Sequence, residues 1–201
     1  MYKIGLTGGI ASGKSTVLNW FKNHGIAYVD ADVVARDIVE PGKPALDELK
    51  KAFGPSVILP DGTLNRRALG DIVFQDKDKL AILNSIFKKY LSQAFQEAAD
   101  QFEKAGATAC IFDVPLLIEH DYYKDMDEVW LVYVDPKSQL ERLMARNNFD
   151  ESQAKGRIGA QMNLEDKKAY AQEIIDNSGD QEALDKTLAS FWDKKKHLFS
   201  R

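Results

Sequence analysis

Only one cysteine, Cys110, occurs in the sequence, so no disulfide can staple the chain internally. It sits in the apolar run Thr108 to Phe112 and reads as a small buried hydrophobe rather than a reactive thiol. Long hydrophobic runs are missing as well. Nothing approaches the ~20 apolar residues of a membrane span, and Met1 to Leu6 meet a glycine-rich turn before a signal-peptide core can develop. A cytoplasmic protein is the resulting expectation. There is no basic excess either: 27 Lys and Arg stand against 31 Asp and Glu, for a formal net charge of -4. Such a chain has no global attraction for nucleic acid or an anionic membrane, and neither is expected as a partner. An anionic ligand must be held by a local cluster instead. Internal repeats and low-complexity tracts are absent.

What is present is ordinary globular composition, 44% hydrophobic and 29% charged over 201 residues, enough for one α/β core with an insertion or lid. Ile4 and Leu6 introduce a strand, and Thr16 to Lys22 continue as a helical pattern. Ile26 to Val29 read as a second strand, and Asp30-Ala31-Asp32 stand at its end, before a helical segment running to Val39. Pro41 to Pro44 break the pattern, and the chain then reads as helices to about Lys104. That stretch is too long for a crossover helix and is expected to be a helical insertion. Strand character returns at Ala109 to Phe112, Val129 to Val134 and Glu173 to Ile175. Each of these strands is followed by an acidic or amide residue, and the carboxyl edge of a parallel sheet is where such folds bind ligands. Leu184, Leu188, Phe191 and Trp192 form a stripe at helical spacing, expected to dock a terminal helix, with Lys194 to Lys196 as its solvated end.

The chemistry is concentrated near the N-terminus. Gly8, Gly13, Lys14 and Ser15 fit the spacing G-x-x-x-x-G-K-[ST] between a strand and a helix. The glycines let backbone N–H groups close around phosphates without Cβ obstruction, and the helix that follows points its positive end at the same anion. Gly8, Gly9, Ile10, Ala11, Ser12, Gly13, Lys14, Ser15 and Thr16 are therefore expected to cradle a nucleoside triphosphate. Lys14 would reach the β- and γ-phosphates, and the Ser15 hydroxyl would meet Mg²⁺. A dinucleotide-binding loop would need a glycine where Ile10 stands, and a GTPase would need an Asn-Lys-x-Asp motif, whereas no Asn-Lys pair occurs.

Further residues fit phosphoryl transfer, each with a plainer alternative. Asp32 or Asp30 would accept the proton of an attacking hydroxyl, although either could serve only as a helix cap. Asp113, at the end of an apolar strand, would hold Mg²⁺ directly or through water, or would merely cap a loop. Arg142 and Arg146, four apart on a helix, and Arg157 beyond them suit a lid that neutralises the transferring phosphoryl group, unless they are surface charges. Arg142 is expected nearest the triphosphate, being closest in sequence to the strand end.

At this point the chain resembles the dephospho-coenzyme A kinases, a branch of the nucleoside-monophosphate-kinase-like P-loop enzymes. The resemblance rests on Leu6 to Thr16, on Asp30 to Asp32 with Ala35 and Arg36, and on Gly62 to Leu64 with Arg66, Arg67 and Leu69. It continues through Val114 to Leu117 with Glu119, Arg142 to Gln161, and Ile175 to Asn177 with Gly179. It implies a three-layer P-loop kinase core with a parallel sheet, carrying a helical substrate-binding insertion and a helical lid. The core is expected over 1–35, 105–140 and 171–201, the coenzyme-A-binding insertion over 36–104 and the lid over 141–170. The resemblance further implies Asp32, Lys14 and Arg142 as the catalytic residues and adds Asn177 to the ATP contacts. Asp32, Arg36, Leu64, Arg67, Leu116, Leu117 and Glu119 would meet dephospho-CoA, and Ser15 and Asp113 would hold Mg²⁺. The implied reaction is ATP-dependent phosphorylation of the ribose 3′-hydroxyl of dephospho-CoA, by a monomer or small homo-oligomer. In one place the chain departs from the family, with Lys88 and Lys89 where His-Pro is usual. A kinase for another small alcohol or nucleoside monophosphate shares the loop, base and lid. A nucleotide-dependent binding switch would share the loop alone.

Overall fold

The computed structural model describes residues 1–200. In chain order its regular elements are β1 (Tyr2–Gly8), α1 (Lys14–Asn23), β2 (Tyr28–Asp30), α2 (Ala31–Asp37), α3 (Pro44–Phe53), α4 (Arg66–Val73) and α5 (Lys77–Lys104). Then follow β3 (Ala109–Asp113), β4 (Glu128–Tyr133), α6 (Pro136–Asn147), α7 (Glu151–Gly159), α8 (Leu164–Lys167), β5 (Glu173–Asp176) and α9 (Gln181–Lys195). The five strands form one sheet in the order β2-β3-β1-β4-β5. β1 pairs in parallel with β3, Ile4 opposite Ile111, and with β4, Leu6 opposite Trp130, while β4 pairs in parallel with β5. All five residues of β3 are buried. Helices cover both faces of such a strand, so it reads as a continuous apolar run rather than an alternation.

Two compact units divide the chain, one of residues 1–29 and 99–201, the other of residues 30–98. The first holds the sheet. Its main core joins Ile4, Leu6, Val17, Phe21, Trp130 and Ile175 to the apolar stripe of α9, where Leu184, Leu188 and Phe191 are buried. Trp130 meets Phe191 edge-on with ring centroids 4.7 Å apart, a favoured aromatic geometry. Cys110 is buried in β3, and desolvation pushes its thiol pKa up to about 12, so it is protonated and unreactive at neutral pH.

The end of α9 differs from the expectation. Lys195 is not a solvated residue: it is buried and ion-paired with Glu128 and with Glu173, the latter at 2.8 Å. Burial works against its charge, but the hydrogen bonds it donates to the two carboxylates outweigh that, and the lysine pKa is raised.

The second unit is helical. Val39, Leu46, Leu49, Val57, Leu69, Val73 and Ile86 form its core, with Leu64 buried among them. α2 stops at Asp37, two residues short of the expected Val39, and Val39 turns into this core. α5 runs unbroken through Lys88 and Lys89, where a proline would remove a backbone hydrogen bond and bend the helix. Lys89 pairs with Glu48 of α3 at 2.8 Å, and Tyr90 donates its hydroxyl to the same carboxylate at 2.7 Å. The bond from Lys89, with that from Tyr90, holds Glu48 below the usual carboxylate range. Among the described residues no helix is long and apolar enough to cross a membrane.

Candidate active site

β1 ends at Gly8, and Gly9 to Gly13 carry the chain into the first turn of α1. Gly13 lies in the left-handed region at φ 84°, and a Cβ there would stand 2.1 Å from the Asn177 side-chain nitrogen. Conformation and crowding both demand glycine. Ala11 also has a positive φ, 59°, a sparsely populated conformation for a residue with a side chain and typical of loops held by their surroundings.

Those surroundings are visible. The Asn177 side chain donates to the Ser12 carbonyl at 2.8 Å, so this buried residue braces the loop. Ile10 is gripped twice: Gln139 of α6 donates to its carbonyl at 2.9 Å, and its N–H donates to the Gln161 side chain at 2.8 Å. Lys167 of α8, with no exposed surface, donates to the Gly8 carbonyl at 3.3 Å. Gln139, Gln161 and Lys167 are the three supports that no sequence pattern singles out.

The cavity over this loop has a volume of about 600 Å³ and is walled by Gly8 to Thr16, Pro115, Arg142, Arg146 and Gln161. Lys14, largely buried, is ion-paired with Asp113 at the end of β3. That pair holds the lysine in place, and a bound triphosphate would compete for the same ammonium.

Arg142 is pinned. Its two terminal nitrogens donate to the carbonyls of Asn177 and Gly179, each at 2.7 Å. It lines the cavity over the loop yet also ties α6 to the turn after β5, whereas the exposed Arg146 one turn on donates to the neighbouring Asn147 side chain, at 2.8 Å. We therefore expect Arg142→Ala to lower ATP affinity as well as turnover, roughly tenfold or more each, with a small loss of thermal stability. Unchanged ATP binding in a calorimetric titration would leave Arg142 with a purely architectural part. Arg157 lies in α7, which opens on a reciprocal cap between Asp150 and Gln153.

Of the expected acceptor contacts, Leu116 and Glu119 are half-buried, whereas Leu117 has no exposed surface. A Cβ on Gly5 would come within 2.7 Å of Leu117, so this leucine packs under β1 and cannot touch a ligand in this conformation. Glu119 accepts from the Met162 N–H at 3.2 Å and pairs with Lys167 at 2.9 Å. In the helical unit Leu64 is a core residue, while Arg36 and Arg67 are exposed. A cavity of about 920 Å³ in that unit is walled by Asp47, Glu48, Lys51, Ile82, Ser85 and Lys89 among others and involves none of these three.

Asp30 and Asp32 separate clearly. Asp30 accepts the N–H groups of Asp32 at 2.9 Å and Val33 at 3.2 Å, which makes it the N-cap of α2. Asp32 is exposed in the first turn, and capping does not account for its carboxylate.

A phosphate loop that leaves the central strand of a parallel α/β sheet, with its lysine held at the adjacent strand's end, places the chain in the class of P-loop nucleotide-binding proteins. Within that class it belongs to the dephospho-CoA kinase family, whose model matches residues 2–183. A dephospho-CoA kinase of Shouchella clausii is 48% identical over 90% of this chain and 91% of its own length. One from Thermobifida fusca is 44% identical over the full length of both chains. The crystal structure of the Thermus thermophilus protein TT1252 covers 96% of this chain and 97% of its own at 29% identity, with a TM-score of 0.78.

Proposed function

We propose that the protein transfers the γ-phosphoryl group of ATP to the ribose 3′-hydroxyl of dephospho-CoA, giving CoA and ADP in the last step of CoA biosynthesis. Family membership across residues 2–183 carries this reading, and the lysine-bearing cavity over Gly8 to Thr16 supports it. The loop amides and Lys14 bind the triphosphate, and Lys14 exchanges Asp113 for the β/γ-phosphate oxygens as charge develops there. Asp32 takes the proton from the attacking hydroxyl.

Mg²⁺ fits the oxygen donors present, since this hard cation keeps several waters and needs only a few protein ligands beside the phosphates. Ser15 and Asp113 would hold it, and when bound it neutralises charge on the transferring group. The arginine-bearing segment 141–170 acts as a lid that excludes water, which would otherwise accept the phosphoryl group in place of the ribose hydroxyl. Segment 36–104 binds the acceptor, with Arg36 and Arg67 as its cations. The protein works in the cytoplasm, as a monomer or small homo-oligomer.

The direct test is to supply ATP, Mg²⁺ and dephospho-CoA together and identify the product by mass spectrometry. One added phosphoryl group on the 3′-oxygen is expected. No added phosphate, or phosphate appearing only when a nucleoside monophosphate replaces dephospho-CoA, would overturn the assignment.

A further inference from the structure

We infer that Lys167, acting with Glu119, is a positioning residue that fixes the mouth of the phosphate loop and the C-terminal root of the lid segment as one body. This rests on the proposed ATP-dependent kinase reading and adds to it a residue outside the loop itself. Lys167 has no exposed surface, yet it carries an ammonium group. That group has three N–H donors, and three acceptors meet it: the Gly8 carbonyl at 3.3 Å, the Pro115 carbonyl at 3.3 Å and Glu119 at 2.9 Å. Gly8 is the last residue of β1, where the chain leaves the sheet to become the phosphate loop, and Pro115 lies just past the end of β3. The lysine thus ties together the strand exits on which Lys14 and Asp113 depend.

The same point anchors the segment after α7. Glu119 accepts the Met162 N–H with the oxygen that meets Lys167, and the neighbouring Gln161 accepts the Ile10 N–H of the phosphate loop. Stability alone is a poor reason to keep such a pair, because an apolar pair of similar volume in a buried site is often as stable or more so. A pair that sets direction is different. One ammonium meets the carbonyls of both Gly8 and Pro115, and the Thr7 hydroxyl donates to the same Pro115 carbonyl at 3.1 Å, so the two strand exits are held in register where the loop leaves the sheet.

The test separates positioning from stability and reads ATP rather than the acceptor, so failure of the dephospho-CoA assignment leaves it intact. Lys167→Met keeps the stem and removes the charge, leaving the half-buried Glu119 carboxylate without its cation. A lower thermal midpoint and an ATP Kd raised about tenfold or more are expected. Combining it with Glu119→Gln removes the orphaned charge. The midpoint should then recover most of its loss, while the ATP Kd measured by calorimetry with Mg²⁺ stays raised about tenfold. Recovery of wild-type ATP affinity together with stability would overturn the inference, since the pair would then be structural only. Should neither variant fold, amide exchange of the wild-type protein decides. The Ile10 and Met162 N–H groups should be protected to within about threefold of each other as one opening unit, and a difference beyond about tenfold would refute the common body.

Discussion

Lys14→Ala is expected to lower kcat by roughly 10²-fold or more, because on the proposed reading it removes an ammonium that would meet charge on the β- and γ-phosphates. The loss should be larger than any effect on folding, but the structure adds a second consequence. Lys14 is the ion-pair partner of Asp113, and both side chains are largely buried. Removing it takes one partner from a carboxylate with little access to water, which lowers stability by about 1 kcal/mol. Steady-state kinetics at a temperature well below the variant's melting midpoint separate the two effects. A folded variant with near-normal turnover would remove Lys14 from the chemistry and leave it only as the partner of Asp113.

Asp32→Asn preserves shape but cannot accept a proton, so turnover is expected to fall roughly 10²-fold or more while ATP binding is largely kept. Asp30 provides the contrast. Its carboxylate already accepts two backbone N–H groups as the cap of α2, and asparagine caps a helix about as well as aspartate. Asp30→Asn should therefore leave both turnover and stability close to wild type, whereas Asp30→Ala should cost about 1 kcal/mol of stability through the lost cap. Parallel kinetics of the two asparagine variants test the choice of base. A greater loss at Asp30 than at Asp32 would reverse it.

The sequence by itself determined the chemistry of the phosphate loop and the class of fold. Gly8, Gly13, Lys14 and Ser15 are legible because backbone closure around a phosphate restricts residue type at fixed local spacing, and the buried strands are legible because they are short apolar runs between turn signals. The docking face of α9 was equally plain from its helical period. Only the tertiary structure decided what the polar residues do. Asp30 and Asp32 are one residue apart and chemically identical in sequence, and just the backbone geometry at the start of α2 makes one of them the cap. Lys195 reads as part of a solvated run, but the fold buries it between Glu128 and Glu173, which are 67 and 22 positions away in the chain. Leu117 looks like its neighbour Leu116 until β1 packs over it. Lys167 stands in an ordinary charged stretch, and its three partners come from two distant places in the chain, Gly8 and the short segment holding Pro115 and Glu119. Local spacing constrains backbone conformation and burial, whereas the partner of a charge is set by which distant segments the fold brings within hydrogen-bond reach, and no single-sequence pattern encodes that.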